Sequence, residues 1–263
     1  GSQLPAFLCV GAQKAGTTTL HALLSLHPEI YLPPKKELQY FSLHYAEGLD
    51  WYQNCFAGAT PGHCIGEITP YYLFHPYAAE RISKDLGSVK IIILLRDPVN
   101  RLLSHYRHAC RHGFEQLSLQ EALLAEAERL NGSNEILRTA HGIHKYHQEC
   151  SYYSRSLYRS QVERYWNLLG RCNVLVLPSE SLFVNPFESI EKVCSFLGVE
   201  DYSFINSPSR LNIHANKGPI LLDDRLNSST LIDLRTRLDD SYLFAEQELG
   251  WSSADLPWEW NDA

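Results

Sequence analysis

Short apolar runs alternate with amphipathic stretches along most of the chain, the pattern of an α/β domain built on a parallel sheet. Residues 6–10 are continuously apolar and read as a buried first strand. A loop, 11–16, follows. Residues 17–27 then read as a helix with Leu20, Leu23, Leu24 and His27 on one face, closed by Pro28. Residues 64–68 and 89–95 read as further strands, and the second, with Ile91, Ile92, Ile93, Leu94 and Leu95 in succession, is the best candidate for the centre of the sheet. Helices are predicted over 77–86, over 98–111 with Pro98 at the start, and over 119–130 behind a Ser118/Glu121 capping box.

Residues 131–149 are polar and His-rich and read as a loop or mobile lid. Beyond them, a long amphipathic helix is expected over 154–169 and a strand over 173–177. A helix capped by Asn185 should run to Leu197, and a last one should cover 230–249. No Pro/Gly/Ser-rich linker divides the chain, so 1–263 read as one P-loop-like α/β domain, a central parallel sheet with helices on both faces.

Composition narrows the functional classes. With 23 Lys and Arg against 30 Asp and Glu, the net charge is −7, which argues against a nucleic-acid partner. No apolar run approaches a membrane span, and no signal peptide is visible; Gly1-Ser2 reads as a cloning remnant. The seven cysteines lack any C-x-x-C pair and most read as buried thiols, with a Cys55–Cys64 bridge left open. His141, His144, His147 and Cys150 recur every three residues, but the spacing matches no closed zinc pattern, so no metal is expected.

The chemistry begins at Gly11-Ala12-Gln13-Lys14-Ala15-Gly16-Thr17-Thr18-Thr19, between a buried strand and a helix. Such a loop offers backbone N–H groups and a helix N-terminus to an anion. The G-x-x-x-x-G spacing is that of a nucleoside-triphosphate loop, but Thr17 stands where its lysine belongs and the lysine has moved inside, to Lys14. A second candidate anion site follows the best strand: Arg96-Asp97-Pro98, with Ser104 two helical turns on. Arg plus Ser suits a phosphate, although an ion pair of Arg96 with Asp97 or Glu67 would use the same residues.

Together these stretches resemble the sulfotransferases that use 3′-phosphoadenosine 5′-phosphosulfate. Gln13 to Thr18 resembles their 5′-phosphosulfate loop, and Leu95-Arg96-Asp97-Pro98 through Ser104-His105-Tyr106 resembles their 3′-phosphate motif. The resemblance continues in Lys36-Glu37-Leu38-Gln39-Tyr40-Phe41, Gly66-Glu67-Ile68-Thr69-Pro70, Ser156-Leu157-Tyr158, Asn185-Pro186 through Gly198, and Asn216-Lys217-Gly218. It is nearest to the heparan-sulfate-type and bacterial members, and the heparan 3-O-type enzymes among them place their catalytic base at the position of Glu37. In the polysaccharide-type pattern a lysine precedes Thr-Pro, and here that residue is Ile68.

The resemblance implies sulfuryl transfer from that donor to an acceptor hydroxyl on a carbohydrate, lipid, polyketide or other small molecule. Glu37 would act as general base, and Lys14 would stabilise the leaving phosphate. Donor binding would fall to Lys14, Ala15, Gly16, Thr17, Thr18, Thr19, Arg96, Ser104 and Tyr158, with Lys217 and Gly218 as a late clamp. A P-loop kinase or NTPase and an inactive nucleotide-binding module are the alternatives. The compartment implied is the cytoplasm, or the Golgi lumen if an anchor has been removed. His105, His108 and His112 either line an acceptor cleft or face solvent. Tyr152, Tyr153 and Tyr158 either stack a ligand or belong to the core. Lys35, Lys36, Arg101, Arg107 and Arg111 are the cations available to an anionic acceptor.

Overall fold

A computed structural model of the protein describes residues 3–200 and 226–261. Five parallel strands, β1 Phe7–Gly11, β2 Ile30–Tyr31, β3 Cys64–Ile68, β4 Lys90–Leu95 and β5 Val174–Pro178, form one sheet in the order β2-β3-β1-β4-β5. Every residue of β1 is buried, and Ile91 through Leu95 of β4 are fully so. Helices cover both faces of a parallel sheet, so its inner strands are apolar without alternation.

The helices are α1 Thr17–Leu24, α2 Leu49–Asn54, α3 Tyr71–Phe74, α4 Ala78–Leu86, α5 Pro98–Arg111, α6 Leu119–Leu130, α7 Ser133–Leu137, α8 Lys145–Glu149, α9 Tyr158–Leu169, α10 Ser179–Val184, α11 Pro186–Leu197, α12 Ser228–Arg237 and α13 Asp239–Leu249. The predicted caps are present. Ser118 and Glu121 close a reciprocal capping box, and Asn185 Oδ1 accepts from the Glu188 amide at 3.4 Å; the Asp97 carboxylate, a cap not foreseen, accepts from the amides of Val99 (2.9 Å) and Asn100 (3.1 Å) ahead of Pro98.

Four expectations are corrected. The helix expected over 17–27 ends at Leu24, because Leu26 and His27 bond back three residues rather than four and Pro28 forbids a further turn. The segment 131–149 is not irregular throughout: it carries α7 and α8, with His144 Nδ1 accepting from the His147 amide. The His147 ring is buried, stacked on Phe74 at 4.3 Å and bonded to the Tyr71 hydroxyl at 2.7 Å. The helix expected from Ser154 starts at Tyr158, after a 3₁₀ turn over Ser154–Ser156, and the one expected over 230–249 breaks at Leu238 into α12 and α13. Cys55 and Cys64 are free thiols. Among the described residues no three His, Cys, Asp or Glu side chains gather as a metal site, and no helix is long and apolar enough to cross a membrane.

Candidate active site

The loop after β1 lies against the end of β4: the Ala12 amide donates to the Leu94 carbonyl at 2.7 Å. Lys14 takes a left-handed conformation (φ 64°), and Ala15 N–H closes the turn on the Ala12 carbonyl at 3.2 Å. Gly16, at φ 90°, caps α1. A Cβ there would sit 3.3 Å from both the Phe183 ring and Ser179 Oγ, a tight contact, and the positive φ favours glycine. The α1 ladder begins with Leu20 N–H on the Gly16 carbonyl, and the amides of Thr17, Thr18 and Thr19 lie in the unladdered first turn. Thr17 is buried, Thr19 half-buried and Thr18 exposed. The geometry suits an anion seated on the helix N-terminus.

The second motif reaches the same place. A guanidinium N–H of Arg96 donates to the Lys14 carbonyl at 3.0 Å, tying the end of β4 to the loop after β1. Burial lowers the Arg96 pKa, and the nearby Glu180, Tyr158 and Asp97 oppose that shift. The Asp97 carboxylate, besides capping α5, accepts from the Tyr242 hydroxyl (2.8 Å) and the Glu259 amide (2.5 Å), while Glu180 accepts from the Asp97 amide at 2.9 Å. These bonds, and for Glu67 the hydroxyls of Tyr52, Thr69 and Tyr72, engage the two carboxylates that the sequence offered to Arg96 as ion-pair partners. Ser104 is buried on α5, two turns past Arg96.

Glu37 is exposed on a strained segment, with φ 62° at Glu37 and 57° at Gln39. Gln39 Nε2 donates to its carboxylate at 3.3 Å. Lys36 Nζ donates to Thr18 Oγ1 at 2.6 Å, which binds the Glu37 segment to the start of α1. Partial burial depresses the Lys36 pKa despite the nearby Glu37 charge. Sequence reasoning assigned Lys36 no role in donor binding; its partner lies 18 residues upstream, and adjacency to Glu37 was the sole signal. Glu149 and Arg155 also lie within electrostatic reach of Glu37.

Several candidates have other tasks. Tyr158 is fully buried and gives its hydroxyl to the Arg96 carbonyl at 2.5 Å, which ties α9 to the residue that follows β4. Tyr152 is buried with its hydroxyl on Glu115 at 2.8 Å, and the Tyr153 hydroxyl reaches the Arg237 carbonyl at 3.2 Å. Arg101 is fully buried, donating to Ser156 Oγ and the Tyr152 carbonyl at 2.6 Å each, and is closed to an anionic acceptor. His105 neither lines a cleft nor faces solvent; it is buried against the Glu149 carbonyl at 2.9 Å, and burial holds its pKa well below the ordinary histidine value. His108 is half-buried and pushed down to about 4, chiefly by burial and then by the charge of Lys14, whereas His112 is exposed. Lys217 and Gly218 lie outside the described residues.

Residues 4–214 match the family model described as the sulfotransferase domain. The chain is 39% identical over 137 residues to the membrane-associated sulfotransferase kil1 of Dictyostelium discoideum, a match covering 47% of this chain and 29% of that protein. It is 29% identical over 224 residues to the human bifunctional heparan sulfate N-deacetylase/N-sulfotransferase 2, covering 82% of this chain and 24% of that one. These matches thus span under a third of the curated relatives' length. A crystal structure of a sulfotransferase from Alicyclobacillus acidocaldarius superposes with a TM-score of 0.75 at 28% identity, covering 95% of this chain and 98% of that one.

Proposed function

Because the chain belongs to the sulfotransferase family, whose general reaction is sulfuryl transfer from 3′-phosphoadenosine 5′-phosphosulfate, we propose that it carries out this transfer with Glu37 as proton acceptor and Lys14 at the leaving phosphate. The observation that carries the reading is the 3.0 Å bond from Arg96 to the Lys14 carbonyl. It supports one donor site spanning both anion motifs, with the 5′ end on Lys14 through Thr19 and the 3′-phosphate at Arg96 and Ser104.

In the proposed reaction the acceptor oxygen attacks sulfur in line. The new S–O bond forms as the bridging S–O bond to the 5′-phosphate breaks. The hydroxyl proton passes to the Glu37 carboxylate, and the electron pair leaves with adenosine 3′,5′-bisphosphate. Lys14 and the first-turn amides of α1 stabilise the growing charge on that phosphate, the kind of preorganised field that lowers such barriers most. Lys36, hydrogen-bonded to Thr18, adds a cation on the same side.

The acceptor is proposed as a hydroxyl compound without dense negative charge, since Ile68 stands where the polysaccharide-type pattern has lysine and Arg101 is internal. Glu37→Gln keeps the size of the side chain and removes the proton acceptor. Turnover, followed with labelled donor, is expected to fall by about two to four orders of magnitude with bisphosphate affinity retained. Near-normal turnover in the folded variant would remove Glu37 from this role.

A further inference from the structure

Below the Glu37 segment, at the end of β3, lies a buried carboxylate that the proposed reaction does not use. Glu67 is 1% exposed, and Thr69 and Tyr72 are fully buried. Thr69 Oγ1 donates to Glu67 Oε1 at 2.7 Å, the Tyr72 hydroxyl donates to the same oxygen at 3.0 Å, and the Tyr52 hydroxyl donates to Oε2. A hydroxyl has one hydrogen, and an ionised carboxylate can only accept. With both hydrogens aimed at Glu67, the lone pairs of Thr69 and Tyr72 are left for donors on the other side. Those donors are the backbone amides of Gln39, 3.3 Å from Thr69 Oγ1, and of Phe41, 3.4 Å from the Tyr72 oxygen.

The residue between them, Tyr40, stacks face to face on Tyr52 at 4.3 Å and 12°. Every hydroxyl on Glu67 therefore belongs to a side chain that holds residues 39–41. Just ahead, Glu37 and Gln39 occupy left-handed conformations that non-glycine side chains avoid unless their surroundings impose them.

We infer that Glu67, Thr69 and Tyr72 form a positioning relay that fixes the backbone of residues 37–41 and so the direction in which the Glu37 carboxylate faces. The inference rests on the reading of Glu37 as proton acceptor. Burial pushes the Glu67 carboxyl up to about 7, with Tyr52, Thr69 and Tyr72 pulling it the other way, so keeping a carboxylate at this depth costs the fold stability. An apolar side chain would fill β3 without that cost. What the carboxylate adds is a fixed orientation for two hydroxyls.

Thr69→Val and Thr69→Ser, each made in the native chain and in Glu37→Gln, test the relay. The rate is read as release of adenosine 3′,5′-bisphosphate from the donor, to water or to the best of three acceptors: glucosamine, a desulfated heparan oligosaccharide and p-nitrophenol. Thr69→Val is expected to lower kcat by about tenfold to a hundredfold, the scale of a small misplacement of a reacting group. Bisphosphate affinity measured by calorimetry should stay within about twofold, because the proposed donor motifs follow β1 and β4 and include neither Thr69 nor its partners. Thr69→Ser, which keeps the hydroxyl, should recover most of the rate. In the Glu37→Gln background, Thr69→Val should cause no further loss.

A wild-type rate in Thr69→Val overturns the relay, as does an equal loss in both backgrounds or a fall in bisphosphate affinity that tracks the rate. Tyr72→Phe removes the other hydroxyl, should give the same pattern, and decides the matter if Thr69→Val does not fold. An active Glu37→Gln enzyme overturns the assignment of the base itself. An inactive one combined with an indifferent Thr69→Val overturns the relay alone.

Discussion

Arg96 divides its guanidinium between two tasks. One N–H is engaged by the Lys14 carbonyl, and the rest of the group, neighboured by Glu180 and Asp97, is proposed to meet the donor's 3′-phosphate. Charge-assisted bonds to phosphate are the stronger kind, and losing one costs about 1.5–3 kcal/mol, or roughly one to two decades in binding. Arg96→Ala should therefore weaken adenosine 3′,5′-bisphosphate by about tenfold to a hundredfold. Adenosine 5′-phosphosulfate, which has no 3′-phosphate, should lose only about twofold to threefold through the slackened 5′ loop. Calorimetry with both ligands decides, and an equal loss for both would mean that Arg96 supports the loop and does not read the 3′-phosphate. Glu67 supplies a second prediction, in stability. Its folded-state pKa is raised by burial from 4.5 to about 7. The folded protein thus holds this proton more tightly than the unfolded chain, and the contribution is fully present below about pH 4.5 and lost as pH rises through about 7. Glu67→Gln mimics the neutral carboxyl: its one acceptor oxygen can serve Thr69 and Tyr72 while its amide serves Tyr52. Relative to this variant, the native protein should lose up to roughly 3 kcal/mol between pH 5 and pH 8. Parallel denaturation midpoints across that range would show that Glu67 keeps an ordinary carboxyl pKa.

Elements differ in how plainly they announce themselves, and the reason is where their determinants lie. The strands β1 and β4 and the helix α5 were legible to within a residue, because a strand buried on both faces must be a continuous apolar run and Asp97-Pro98 is a self-contained helix start. The two candidate anion motifs could be located for the same reason: each is local, placed by the strand before it. The His-rich segment 131–149 was not, because what orders it lies elsewhere in the chain, in the Tyr71 hydroxyl and the Phe74 ring that receive His147. Arg101 and Tyr158 looked like surface chemistry for a like reason: a sequence shows a cation or a hydroxyl but not the Ser156 hydroxyl or the Arg96 carbonyl that engages it inside. Lys36 and the Glu67 relay were missed because the signal for each is a hydrogen bond across 18 to 31 residues. The pattern therefore places the elements that carry the two candidate anion motifs, while packing places the segment that carries Glu37.

At the scale of the whole molecule the question is what kind of acceptor its field admits. The chain carries a net charge of −7, and a sulfated polysaccharide would have to approach against it. Such a polymer is bound chiefly through lysines and arginines that release its counterions, so affinity depends on how many cations share one face. Of the five candidates Lys35, Lys36, Arg101, Arg107 and Arg111, Arg101 is fully buried and Lys36 is half-buried against Thr18. Near Glu37 the charges are mixed: Arg155 is buried with its guanidinium over the Tyr71 and Phe74 rings, and the Glu149 carboxylate, largely buried, adds a second negative group within reach. The Ile68 position is buried and apolar where the polysaccharide-type pattern has a lysine. An uncharged or sparsely charged hydroxyl compound meets no penalty in such a field, whereas a dense polyanion meets one at long range and gains few ion pairs from the described residues at short range. The protein is therefore expected to leave a heparin column at or below about 0.15 M salt, where surface charges are already screened beyond roughly 8 Å. Retention needing several times that concentration, with a steep fall of affinity as salt rises, would reveal a basic face large enough for a sulfated glycan and overturn the proposed acceptor class, while leaving the donor site on β1 and β4 untouched.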